Sequence, residues 1–101
     1  MQIEITEEAN QEIIEIADYI AKDSIYYAKK TADEIYDKIN SLKTSIYTGR
    51  TVLELDDENI REFLYKDYRI IFEIGEDIAH IKTVFHGARN SELKLNFLKK
   101  D

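Results

Sequence analysis

The sequence predicts an α+β fold of order β-α-α-β-β-β, an antiparallel sheet packed on an N-terminal helical hairpin, with a short C-terminal helix. Three observations predict it. A helical apolar stripe runs through the first half of the chain. Near residue 59 the apolar pattern changes to period two. The period-two segments are then separated by turns of two or three residues, which makes them consecutive antiparallel neighbours.

The elements follow in order. QIEIT (2–6) alternates apolar and polar residues as a half-buried strand does. Thr6 is placed to cap a helix whose first turn carries Glu7 and Glu8, suited to the positive end of the helix dipole. To about Lys22, Ala9, Ile13, Ile16, Ala17 and Ile20 share one face. Asp23 or Ser24 caps a second helix, where Ala28, Ala32, Ile35, Ile39, Leu42 and Ile46 step by four and three. Gly49 stands just beyond, where a helix end favours a residue free to adopt positive φ. The short link between the helices implies an antiparallel hairpin. After the connecting stretch GRTVLELDDE, NIREFLY (59–65) and YRIIFEI (68–74) are strands joined at Lys66 and Asp67, and IAHIKTVFH (78–86) follows a turn at 75–77. In NSELKLNFLKK, Leu93, Phe97 and Leu98 have near-helical spacing and predict a short helix.

A chain of 101 residues is one domain, 1–101, with a single core to bury. Without cysteine it has neither a disulfide framework nor a thiolate zinc site. The start, MQIEITEEANQ, lacks the basic and apolar regions of a signal peptide, and no apolar run approaches membrane-spanning length, so the expected location is cytoplasmic. A net charge of −7 argues against a general nucleic-acid binder. The charge is uneven: residues 1–58 hold 14 acidic and 6 basic side chains, whereas 59–101 hold 7 and 8. Any anion-facing surface therefore belongs to the second half.

Several chemistries find no support. The three glycines are not clustered into a phosphate loop, and no helical His-Glu-x-x-His or serine triad occurs. His80 and His86, six apart on one strand, could share a face but lie far apart along it, so no metal or cofactor is expected. The hairpin's carboxylates are most simply a solvated face. More pointed are the cations of the strands. On YRIIFEI, Tyr68, Ile70, Phe72 and Ile74 share one side, and Arg69, Ile71 and Glu73 the other. Arg69 is either the planar donor fork of a phosphate site or half of an ion pair, with Glu73 or a residue of the next strand. His86, at a strand exit, suits a general acid or base but could equally be simple surface.

The element order, the Tyr-Arg-Ile-Ile-Phe strand (68–72) and the His-Gly-Ala-Arg-Asn exit (86–90) resemble the RelE/ParE superfamily of type II toxins, the plasmid-stabilisation type, over nearly the whole chain. That resemblance implies one of two activities. RelE-like members cut messenger RNA in the ribosomal A site; ParE-like members poison DNA gyrase without hydrolysis. Both are silenced by a cognate antitoxin. As a nuclease, the chain would use Glu54 as base, Arg69 on the scissile phosphate and His86 as acid. The lysine pair of the nucleases has no counterpart here, since IREFL offers only Arg61 beside Glu62, and no tyrosine follows His86. The gyrase reading accommodates both departures and the acidic first half. A degenerate member that keeps the fold without toxicity is a third possibility. Target or phosphate contacts are expected from Arg61, Arg69, Arg89, Lys94, Lys99 and Lys100, with the basic stretch 91–100 foremost. The partners implied are the antitoxin, carrying a docking segment that is not strongly acidic, and gyrase or alternatively the ribosome with its mRNA. No membrane partner is expected.

Overall fold

Thr6 ends the first strand and starts the first helix, and its hydroxyl takes part in both. Its Oγ1 accepts from the Ala9 amide at 3.2 Å and donates to the Ile81 carbonyl at 2.7 Å. The helix is thereby capped and fastened to the last strand. The computed structural model describes residues 1–44 and 49–99; the stripe residue Ile46 and the basic Lys100 lie outside them. The elements are β1 (Gln2–Ile5), α1 (Glu7–Ala21), α2 (Ile25–Asn40), a 3-10 turn (Ser41–Lys43), β2 (Arg50–Thr51), β3 (Ile60–Tyr65), β4 (Tyr68–Gly75), β5 (Ile78–His86) and α3 (Gly87–Asn96).

The sheet order is β1-β5-β4-β3-β2. The three long strands form the expected antiparallel meander, and its turns hold Lys66 and Asp77 at φ of 52° and 59°. The sheet as a whole is mixed, because β1 joins β5 in parallel. A two-residue strand, β2, adds to the far edge from within the stretch expected to be plain connection. Helix α2 stops earlier than the stripe predicts: Ser24 caps its start and Asn40 ends it, with Leu42 buried from the 3-10 turn. Gly49 therefore does not cap α2. Its φ is 98°, and a Cβ there would lie 2.8 Å from the Glu62 carbonyl oxygen and 2.9 Å from the Phe72 ring, so it serves a close approach at the start of β2.

Both faces of the sheet are covered, though unequally. The hairpin lays Ile13, Ile35, Ile39 and Leu42 over Phe63, Ile70, Phe72 and Ile81, the main core. On the opposite face Val52, Ile60, Ile71, Phe85 and Leu95 make a smaller core beneath α3 and the segment after β2. Helix α3 differs in phase from its expected stripe: Leu95 is buried, whereas Leu93 and Phe97 face solvent. The helix begins directly at the strand exit, so the direction of β5 sets which side meets the sheet. Tyr26 and Tyr27, which could have served the core, are exposed at the start of α2.

Candidate functional site

The exit of β5 meets the β3–β4 turn, and the alternation of β4 there divides the candidate residues between two faces. The register pairs Tyr68 with His86 and Arg69 with Phe85. His86 accordingly faces the hairpin side, and Arg69 the side of α3.

Arg69 is bound on every donor. Its Nε donates to Glu62 Oε1 at 2.7 Å and Nη2 to Glu62 Oε2 at 3.0 Å. Nη1 and Nη2 donate to the two oxygens of Glu54 at 2.7 and 2.9 Å. Nη1 also donates to Ser91 Oγ, on α3, at 3.0 Å. Five N–H groups thus have five bonds to acceptors, two of them in a bidentate pair with each carboxylate. Glu62 is buried and lies 3.4 Å from the exposed Arg50 as well. The Arg69 guanidinium holds the Glu54 carboxyl below the usual carboxylate range, and both carboxylates raise Arg69's own pKa. Gly87 leaves room for this arginine: a Cβ there would lie 3.1 Å from Arg69 Cγ and 3.2 Å from Cδ. The ion pair thus prevails over an open phosphate fork, with Glu62 and Glu54 as partners. Glu73 instead faces Lys82 at 3.7 Å.

His86 has a different task. Its Nδ1 accepts from the Ala88 amide at 3.3 Å, which makes it the N-cap of α3, and its ring stands edge-on to Tyr68 with centroids 5.7 Å apart. Burial pushes the Tyr68 hydroxyl up in pKa. The expected base and phosphate cation, Glu54 and Arg69, are brought together; His86 is on the other side of the sheet. His80 and His86 do not share a face either. An irregularity in the register at Ile71/Phe72 adds a residue on β5, which turns His80 toward Glu73 and Glu4, the latter 2.6 Å from its Nδ1.

A residue that sequence reasoning missed is Glu12. β1 pairs with β5 only as far as Ile81, leaving the edge of β5 beyond it without a strand. Glu12, buried on α1, reaches into that gap: its carboxylate accepts from the Val84 amide at 3.1 Å and from Thr83 Oγ1 at 2.9 Å. Lys94 of α3 completes the site with Nζ 2.9 Å from Glu12 Oε2, and the carboxylate raises the lysine's pKa. Its position was the available signal, since Glu12 falls between Ala9 and Ile16 on the apolar face of α1 and not among the solvated acids. Beside it opens a cleft of about 430 Å³, walled by Ile16, Tyr19, Tyr68 and His86 and edged by Lys66 and Arg89. Among the other expected contacts, Arg61 donates from Nε to the Glu58 carbonyl, while Arg89 and Lys99 are exposed. Among the described residues no group of three or more His, Asp or Glu side chains is placed to hold a metal ion, and no helix is long and apolar enough to cross a membrane.

A helical hairpin on one face of a meander, with a strand exit capping a last helix, is a fold shared with a solved structure. A chain described as "Chromosomal ParDE TA system from P. aeruginosa" matches with a TM-score of 0.71 at 16% identity, covering 85% of this chain and 95% of that one. A search of curated proteins finds no match. The family comparison goes further: residues 3–91 match the model described as the ParE toxin of the type II toxin-antitoxin system, parDE, and the chain belongs to that family.

Proposed function

We propose that this protein is a ParE-like toxin that arrests growth by binding a macromolecular target, DNA gyrase foremost, and that a cognate antitoxin neutralises it. The division of the β5 exit carries the choice between the two activities of the wider superfamily. A nuclease of this kind needs base, cation and acid around one phosphate. Here Arg69 donates all five N–H groups to protein acceptors, and His86 caps a helix on the opposite side of the sheet. Such an arrangement supports action by binding. Arg89 and Lys99, exposed on and just after α3, are the proposed target contacts.

Inducible expression of wild type and His86→Ala tests this, with growth, messenger integrity and supercoiling by purified gyrase measured together. Arrest with intact messengers and inhibited supercoiling is expected from the wild type, and a His86→Ala effect confined to a weaker cap. Messenger cleavage lost by 10²-fold or more in His86→Ala would overturn the proposal in favour of the ribosome-dependent nuclease. Absence of arrest at comparable expression would point to a member that keeps the fold alone.

A further inference from the structure

The two carboxylates on Arg69 are not equivalent. Glu62 is 1% exposed, sits on a strand and is held from a second side by Arg50. Glu54 is 44% exposed and belongs to the irregular segment between β2 and β3. We propose that Glu54 is a displaceable plug, and that the fork it fills on Arg69 is a binding site for a carboxylate that a protein partner presents between aliphatic side chains.

The fork remains aimed when Glu54 leaves. Nε and one N–H of Nη2 stay on Glu62, Ser91 holds one N–H of Nη1, and the stem lies against Gly87. The two N–H groups released are those that now meet Glu54 side by side at 2.7 and 2.9 Å, a spacing matched to a planar carboxylate. A group fixed in this way binds without first being ordered. Charge favours the exchange too, because Arg69 and Arg50 against Glu62 alone leave one net positive charge.

The rim indicates a protein ligand. Leu64, directly opposite Arg69 in the β3–β4 register, is 45% exposed, and Leu53, next to the plug, is 88% exposed. An aliphatic rim fits the neighbours of an acidic residue in a peptide, and a chain of net charge −7 repels a polyanion. Glu54 itself stands in the sequence Val-Leu-Glu-Leu, which is the internal version of the proposed ligand. The site is independent of the identity of the toxin's target.

The test uses the full chain, wild type and Glu54→Gln, with the capped peptide acetyl-Val-Leu-Glu-Leu-amide as probe. Binding is measured by calorimetry and by the Arg69 Nε–H NMR signal, with the amide spectrum confirming the fold. Removing an internal competitor should tighten peptide binding about tenfold or more. The Arg69 signal should shift, and the peptide with glutamine in place of glutamate should not shift it. Arg69→Lys in the Glu54→Gln background keeps the charge, lacks the fork and should lose the gain. Glu54→Ala serves as a second plug-free variant and should behave like Glu54→Gln. Equal peptide affinity for wild type and both plug-free variants would overturn the proposal. So would a response of the Arg69 signal to inorganic phosphate with none to the peptide, which would make the fork a phosphate site.

Discussion

Arg69 and Glu62 form the most enclosed charge pair of the second face, and breaking it should reveal what each carboxylate contributes. Glu62→Ala leaves the Arg69 Nε and one Nη2 N–H without their acceptor in a site where Glu62 is 1% exposed. Arg69 keeps its bidentate pair with Glu54, so the loss should exceed that of an exposed pair yet stay below the about 3–5 kcal/mol of a buried charge left with no partner. Glu54→Ala removes a pair that is 44% exposed on the acid's side, and solvent keeps such losses to about 1 kcal/mol or less. Urea unfolding of the two variants measures the difference directly. Similar losses for both would mean that water reaches Glu62 and that the two carboxylates act as one exposed cluster.

Helix α3 is held by one apolar side chain and two polar ties: Leu95 packs in the second core, Ser91 meets Arg69, and Lys94 meets Glu12. Leu95→Ala should therefore cost about 2–5 kcal/mol, and Leu93→Ala within about 0.5 kcal/mol of nothing, as thermal unfolding would report. The reverse ranking would require the helix to be rotated by about 200°, two residues at about 100° each. This element also marks where the sequence was legible. The meander was, because period-two alternation survives in IREFLY and YRIIFEI and a two-residue turn fixes their register; it even places Glu62 on the same face as Arg69, through Leu64. The phase of α3 was not, because it depends on the direction in which β5 delivers the chain at His86, a tertiary matter. Nor was the face of His86 relative to His80, since one extra residue in β5 reverses the parity without a glycine or proline to announce it. Glu54 was named on resemblance, as the base of a nuclease and not as the ion-pair partner of Arg69 that it is here; its segment has no period from which to derive the contact.

For the whole molecule, the acidic first half (residues 1–58) and the more basic second half meet at two ion pairs that fail at opposite ends of the pH scale. Glu54 has its pKa depressed in the folded protein, chiefly by its hydrogen bonds to Arg69. Its contribution is thus present above the unfolded carboxylate value, about 4.3, and is lost as pH falls through the lower folded value. Lys94 has its pKa raised, first by its hydrogen bond to Glu12. Its contribution is complete below the unfolded lysine value, about 10.4, and is lost as pH rises through the higher folded value. Melting temperature followed from pH 2 to pH 12 should fall at both ends. Glu54→Gln should flatten part of the acid fall and leave the alkaline fall, and Lys94→Met should do the opposite. An exposed pair contributes about 1 kcal/mol or less, so the Glu54 effect should be a few degrees at most in a domain of this size. The Lys94 effect should be larger, because Glu12 is buried and the Val84 amide and Thr83 hydroxyl also depend on where its carboxylate sits. If both variants changed the same arm, the two pairs would be coupled through α3, with Ser91 and Lys94 releasing together, and the helix would come off the sheet as one unit.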